Sequence, residues 1–170
     1  MGNLITITNV LGSFATNCYT VANSETREAI IIDPADNCEQ IINFCNKYEV
    51  IEIIVTHHHF DHIGALNELE NYYNLKHNDF SKKTLNYEII KTPGHTDDSI
   101  SIFFPDEKIL FSGDLIFYHS IGRYDFPNSN YENLKESLNI ISKLPIDTII
   151  YPGHGPETTL NEEIKRFKYY

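Results

Sequence analysis

Apolar positions recur along the chain with two different periods. Leu4 to Thr8 alternates between apolar and polar residues, which predicts a first β-strand. Apolar residues behind Asp36 keep helical spacing, and Asp36 with Glu39 three positions later makes a capping-box signal, so a helix is predicted to begin there. The same signal, formed by Thr159 with Glu162, predicts a closing helix.

The remaining segments continue this alternation of strands and helices. We predict further strands over 14–22, 29–33, 51–56, 87–92, 99–104, 108–112 and 147–151, and further helices from about 61 and over 131–144. Such a mixture is typical of a layered α/β fold. A length of 170 residues without repeats or linker-like tracts predicts one domain over 1–170.

Charge and cysteine content narrow the classes of function. The formal net charge of -11 disfavours binding to nucleic acid or to an anionic membrane, because phosphates would meet a negative surface. The three cysteines, Cys18, Cys38 and Cys45, do not form a disulfide framework. We find no signal peptide and no apolar run long enough to span a membrane, so we expect a cytoplasmic protein. The oligomeric state is not predicted.

One stretch of the chain concentrates residues that bind metals. Residues 57–62 have the form H-x-H-x-D-H. His57 and His59 lie two apart in a predicted extended loop, where alternate side chains point the same way, so they can bind one ion together. Asp61 and His62 lie at the predicted start of the next helix, and they can serve a neighbouring ion.

Three further candidate ligands lie in similar positions. His95, Asp114 and His154 each follow a predicted strand through a glycine. Because sites in α/β sheets gather beyond the carboxyl ends of strands, we expect one rim of one sheet to collect the ligands. The hypothesis assigns His57, His59 and His95 to one ion, Asp61, His62 and His154 to a second ion, and Asp114 to both as a bridge.

The donor atoms of this set are nitrogen and oxygen only. Such donors suit two zinc ions, with iron or manganese as alternatives. Two ions about 3.5–4 Å apart can hold a bridging hydroxide at neutral pH, which attacks acyl or phosphoryl centres. We therefore predict a metal-dependent hydrolase, with Asp61 and Asp114 as its catalytic carboxylates. His58, which lies between two ligands, and His77 and His119 are interpreted as residues outside the metal site.

Several segments resemble one known family. Together with the six-residue motif, they resemble the metallo-β-lactamase fold superfamily and, within it, the glyoxalase II (hydroxyacylglutathione hydrolase) group. The segments that carry the resemblance are 56–65, 92–96, 112–117, 120–127 and 151–159. The resemblance implies a four-layer αββα sandwich with a dinuclear site at one edge. It also implies hydrolysis of a small thioester or related acyl substrate.

The chain departs from the glyoxalase II pattern in two features that affect substrate binding, and one further residue is a candidate for contacting the substrate. Glyoxalase II proper has an additional C-terminal helical domain that helps bind glutathione; this chain is expected to lack it, since it ends soon after His154. The stretch from Asn74 to Tyr87 is also shorter than in most relatives. The resemblance makes Arg123 a candidate for binding a substrate carboxylate. The alternative is a structural pair between Arg123 and Asp125, and both interpretations stay open.

Other functions of the same fold compete with the hydrolase. Persulfide dioxygenases share the motif but use a single iron, for which His57, His95 and Asp114 would suffice. The full second set of ligands favours the hydrolase. The acidic charge disfavours a nuclease, and the aspartate at position 114 differs from the cysteine of one β-lactamase subclass. A fold remnant that binds metal without catalysis is disfavoured because no ligand is missing.

Overall fold

The computed structural model describes residues 3–170, apart from the side chain of Lys82. Residues 1 and 2 of the predicted 1–170 domain lie outside this range. The chain forms two compact units: the N-terminal unit ends at Asn86, and the C-terminal unit spans Tyr87–Tyr170. Among the described residues, no helix is long and apolar enough to cross a membrane.

The N-terminal unit is a four-stranded sheet with two helices. Its strands, in the spatial order β1-β2-β3-β4, pair antiparallel except for the parallel pair β3–β4. Apolar residues of the sheet, such as Ile31 and Ile53, form one core with Ile41, Cys45 and Leu69 of the helices. The elements are β1 Leu4–Leu11, β2 Thr16–Asn23, β3 Glu28–Ile32, α1 Cys38–Cys45, β4 Glu49–Ile54, α2 Leu66–Tyr73 and a 3-10 helix at Phe80–Lys82.

The C-terminal unit is a five-stranded sheet with the spatial order β11-β10-β7-β6-β5, beside a two-stranded ribbon β8–β9. Leu134, Leu138 and Leu160 of its helices form a core with Leu110 and Ile150 of the sheet. The elements are β5 Glu88–Lys91, β6 Ile100–Phe104, β7 Ile109–Gly113, β8 Ile116–Phe117, β9 Ser120–Ile121, α3 Tyr131–Ile141, β10 Ile149–Pro152, β11 Thr158–Thr159, α4 Leu160–Glu163 and a 3-10 helix at Phe167–Tyr169.

The strands that precede the predicted ligands do not belong to one sheet, so this expectation is wrong. β4 lies in the N-terminal sheet, whereas β5, β7 and β10 lie in the C-terminal sheet. Within the latter, β6 is antiparallel to both β5 and β7, and β10 is parallel to β7. The three strands β5, β7 and β10 therefore run in the same direction and end at the same rim of the sheet. Strand pairing is a contact between distant segments, which the period of a single strand does not report.

Two helix starts differ from the predicted ones. Asn37, not Asp36, caps α1: its side chain accepts a hydrogen bond from the backbone N–H of Gln40, at 3.1 Å. The helix predicted from about 61 begins at Leu66, because residues 57–65 form a loop. The predicted cap at Thr159 is confirmed, since its hydroxyl accepts from the backbone N–H of Glu162.

Candidate metal centre

The loop after β4 carries four predicted ligands, which we call the N-terminal ligand group. A hydrogen bond of 3.0 Å from the backbone N–H of His62 to the carbonyl of His59 closes a tight turn within this loop. The side chains of His57 and His62 are buried, whereas those of His59 and Asp61 are partly exposed. The group consists of His57, His59, Asp61 and His62.

The side chains of this group converge in pairs. Nε2 of His57 lies 3.1 Å from Nδ1 of His59, and Nε2 of His62 lies 3.7 Å from Oδ2 of Asp61. Two ligand atoms on one tetrahedral zinc ion are about 3.3 Å apart, given bond lengths of about 2.0–2.1 Å. The observed spacings are therefore close to those of atoms that share an ion.

The buried carboxylate of Asp33 orients two of these imidazoles. Asp33 accepts hydrogen bonds from the backbone N–H of Thr56 at 2.7 Å, from its hydroxyl at 2.8 Å and from Nδ1 of His62 at 2.9 Å. The hydroxyl of Thr56 in turn lies 3.1 Å from Nδ1 of His57. These bonds assign the proton of each ring to Nδ1, so Nε2 carries the lone pair that can bind a metal.

Sequence reasoning missed Asp33. The residue directly follows the buried strand β3 and has a positive φ of 53°. The predicted strand over 29–33 includes Asp33, whereas the observed strand ends at Ile32. Asp114 was identified by the glycine between its strand and the aspartate; Asp33 lacks that glycine, so its local signal is only an acidic residue at the end of a buried strand. The role of Asp33 differs from that of Asp114, because its carboxylate accepts hydrogen bonds from Thr56 and His62.

Two further contacts fix the loop. The hydroxyl of Thr16 donates to Oδ2 of Asp61 at 3.0 Å. Gly64 packs so closely on the segment after β3 that a Cβ atom there would lie 2.2 Å from the carbonyl oxygen of Ala35. A side chain at position 64 would thus push the ligand-bearing loop away from the segment that carries Asp33.

The other three predicted ligands form the C-terminal ligand group, His95, Asp114 and His154. They follow β5, β7 and β10 at the common rim of the sheet. Oδ2 of Asp114 lies 3.5 Å from Nε2 of His95 and 3.6 Å from Nε2 of His154. A carboxylate between two imidazoles is the arrangement expected of the bridging ligand.

The backbone around Arg123 orients His95. Nδ1 of His95 lies 2.8 Å from the carbonyl oxygen of Arg123, so this nitrogen donates and Nε2 carries the lone pair. The preceding Gly122 allows this approach: a Cβ atom there would lie 1.8 Å from the carbonyl oxygen of Asp114 and 3.2 Å from Nδ1 of His95.

The side chain of Arg123 forms an ion pair with Asp125. Nε lies 2.9 Å from Oδ1 and Nη2 lies 3.0 Å from Oδ2, and the guanidinium also stacks 4.4 Å above the ring of Phe126. These hydrogen bonds hold the pKa of Asp125 below its usual value and raise the pKa of Arg123. Of the two interpretations of Arg123, the structure contains the geometry of the structural pair.

The histidines predicted to lie outside the site have polar partners. Nε2 of His58 lies 3.2 Å from Nε2 of His77, and Nδ1 of His77 lies 2.9 Å from Oε1 of Glu70. Nε2 of His119 lies 3.3 Å from Oε1 of Glu162.

Comparisons with known proteins match most of the chain to one family. Residues 11–78 and 75–154 match the model described as Metallo-beta-lactamase superfamily. The hydroxyacylglutathione hydrolase GloC of Haemophilus influenzae is 28% identical in an alignment 194 positions long, gaps included, which covers 89% of this chain and 91% of that protein.

Several solved structures share the fold. At 28% sequence identity each, the chain resembles the BLEG-1 B3 metallo-beta-lactamase (TM-score 0.88, 97% of this chain and 99% of that one) and TTHA1623 in a di-iron-bound form (0.83, 94% and 97%). It also resembles ETHE1 from Myxococcus xanthus (TM-score 0.81, 28% identity, 94% and 81%). The predicted fold class is confirmed, and the histidine and aspartate donors fit divalent metal ions.

Proposed function

The chain belongs to the metallo-beta-lactamase superfamily, and on that premise we propose that it is a metal-dependent hydrolase of small thioesters. One observation carries the proposal: all seven predicted ligands are present, and those expected at the second ion are supported as well as those at the first. His62 bonds to Asp33, Asp61 bonds to Thr16, and His154 faces Asp114. This support at both sets of ligands favours two ions over one.

We propose that the two ligand groups together hold two divalent ions. His57, His59 and His95 would hold the first ion, Asp61, His62 and His154 would hold the second, and Asp114 would serve both. When bound, such a pair of ions lowers the pKa of a water molecule and polarises the carbonyl of the substrate. Zinc is the expected metal, and the di-iron form of TTHA1623 makes iron the main alternative.

The residues of the chain contribute orientation and charge. Asp33 keeps the Nδ1 proton on His62 and, through Thr56, on His57, so that both rings present a lone pair. The carboxylates of Asp61 and Asp114 offset the positive charge of the ions. In the overall reaction the acyl C–S bond breaks, a C–O bond to water forms, and the products are a carboxylic acid and a thiol.

The thioester class is supported by the relative named hydroxyacylglutathione hydrolase. Arg123 stays the candidate for a substrate carboxylate, on the condition that the substrate displaces Asp125. We further propose that residues 1–170 act as one catalytic domain. Its cysteines, which are not disulfide-bonded, accord with the reducing cytoplasm.

The test combines metal content with a substrate panel. The protein is purified without added metal, analysed for zinc, iron and manganese per chain, and assayed on neutral and charged thioesters. About two ions per chain and thioester cleavage would support the proposal. One iron per chain, together with oxygen consumption when glutathione persulfide is added, would contradict the hydrolase proposal and indicate a persulfide dioxygenase. Cleavage of β-lactams but not thioesters would make it a β-lactamase.

A further inference from the structure

A small cavity adjoins the N-terminal ligand group. It has a volume of about 220 Å³ and lies between the β1–β2 turn, the segment after β3 and the loop after β4. Asp61 lines it, so a group bound there would lie next to a proposed metal ligand. Whole drug-sized ligands need cavities of about 300–1,000 Å³, so this one suits a single compact group of a substrate.

Two phenylalanines form one corner of this cavity. Phe14 lies in the β1–β2 turn and Phe60 precedes Asp61 in the motif. Their ring centroids are 5.0 Å apart and the ring planes meet at 82°. The two side chains are 57% and 66% exposed, so they are accessible to a group that enters the cavity. Perpendicular aromatic walls are the geometry that surrounds alkylammonium groups in proteins.

The charge around the cavity is negative. Among the described residues that line it, the only ionisable ones are Asp36 and Asp61, and none is basic. Asp61 is proposed to bind metal, which leaves Asp36 to face a ligand. The carboxylate of Asp36 does lie against the cavity wall, since a Cβ atom on Gly12 would be 3.2 Å from its Oδ2.

The basic residue considered for a substrate carboxylate is already engaged. Both Nε and Nη2 of Arg123 bond to Asp125. An anionic substrate would have to break this bidentate pair. The Asp36 carboxylate accepts a hydrogen bond of 2.7 Å from the backbone N–H of Asn37 at Oδ1, and it forms no ion pair with another described residue.

We propose that the corner of Phe14 and Phe60, together with Asp36, binds a compact alkylammonium group of the substrate. The inference rests on the proposed function and narrows its substrates to thioesters that carry a cationic arm. The aromatic faces attract the cation and exclude water, and the carboxylate of Asp36 balances its charge.

Three acetyl thioesters of similar size test the charge preference. Acetylthiocholine carries a trimethylammonium group, 3,3-dimethylbutyl thioacetate is its neutral isostere, and S-acetyl-3-mercaptopropanoate is anionic. We expect kcat/KM for acetylthiocholine to exceed that of the isostere by about 3- to 30-fold, with the anionic ester lowest. Phe14→Leu and Asp36→Asn should each bring kcat/KM for acetylthiocholine close to that of the neutral isostere measured with the same variant, so that most of the preference is lost.

Matched variants and a binding measurement separate this inference from the hydrolase proposal. Phe44→Leu and Glu39→Gln change an exposed aromatic and an exposed acidic residue of α1 outside the cavity, and they should keep the preference. Saturation-transfer NMR with tetramethylammonium reports binding without turnover. Its signal should weaken in Phe14→Leu and Asp36→Asn but persist in both controls.

The possible outcomes distinguish the two proposals. Thioester cleavage without a preference for the cation, or with a preference for the anion, overturns the inference and keeps the hydrolase. A tetramethylammonium signal that depends on Phe14 and Asp36, without cleavage of any thioester, supports the cation site and overturns the hydrolase. The absence of both binding and cleavage overturns both.

Discussion

Nδ1 of His62 lies 2.9 Å from Oδ2 of Asp33, and neither side chain is exposed by more than 1%. The same carboxylate binds Thr56, whose hydroxyl contacts His57. One buried acidic residue therefore orients two imidazoles, those of His62 and His57, which we assign to different ions. Because the carboxylate is away from solvent, its hydrogen bonds are strong and their loss is not replaced by water.

The first prediction concerns this carboxylate. In Asp33→Asn the amide keeps the size of the side chain but can donate as well as accept, so His62 loses a charged acceptor. We expect the affinity for the second ion to fall by about 10- to 100-fold, as is typical when a partner of a ligating histidine is removed. Competition with a chromophoric chelator measures it. Asp147→Asn, which breaks an exposed pair with Lys108, serves as the control, and an equal loss there would contradict the argument.

The second prediction separates adjacent histidines in the motif. His59→Ala should abolish thioester turnover and reduce the metal content from about two ions per chain to about one. His58→Ala removes a ring that contacts His77, so metal content should stay near that of the unaltered protein. Elemental analysis of both purified variants gives the result. Full activity in His59→Ala, or equal metal loss in both variants, would remove the basis of the ligand assignment.

Much of the candidate site was predictable because ligand motifs and strand ends are local features. The period of each strand identified β4, β5, β7 and β10, and the glycine turns after three of them pointed to His95, Asp114 and His154. The division of these strands between two sheets was not predictable, since pairing depends on distant segments.

The start of α1 and the role of Asp33 were also not predictable, because both depend on contacts that the sequence pattern does not report. Asp36 and Asn37 are both good capping residues, and only their hydrogen bonds distinguish them: Asn37 accepts from the backbone N–H of Gln40, whereas Asp36 accepts from that of Asn37. Asp33 has a recognisable sequence position, but its partners Thr56 and His62 lie 23 and 29 residues away. No local pattern contains such a contact.

The third prediction concerns the close packing of Gly122. In Gly122→Ala the new Cβ would overlap the carbonyl of Asp114 and crowd His95, so the backbone that carries both must move. We expect a loss of about 1–3 kcal/mol in the free energy of unfolding, measured with urea, and weaker metal binding. Gly155→Ala is the matched control: there is open space around its Cβ, so the substitution meets only the backbone cost of its φ of +77°, about 1–2 kcal/mol. If metal affinity falls equally in both variants, the contact with Asp114 is not the cause.

The last prediction concerns the pH dependence of stability at Glu70. Burial raises the pKa of this carboxyl, but hydrogen bonds from the backbone and ring of His77, and from Lys76, bring it below its usual value. Because the folded pKa lies below the unfolded one, the stabilisation is complete above about pH 4.3 and is lost as the pH falls through the folded value.

Replacing Glu70 by Gln should therefore matter most at neutral pH. We expect Glu70→Gln to lower the free energy of unfolding by about 1 kcal/mol or more at pH 7, and the difference from the unaltered protein to shrink toward pH 3. Urea titrations of both proteins with chelator present exclude metal release from the comparison. Asn71→Ser, an exposed change on the same helix without an ionisable group, corrects for general effects of pH. If the difference in free energy of unfolding between the two proteins instead grows as the pH falls, the argument is contradicted, because the neutral form of Glu70 would then be the stabilising one.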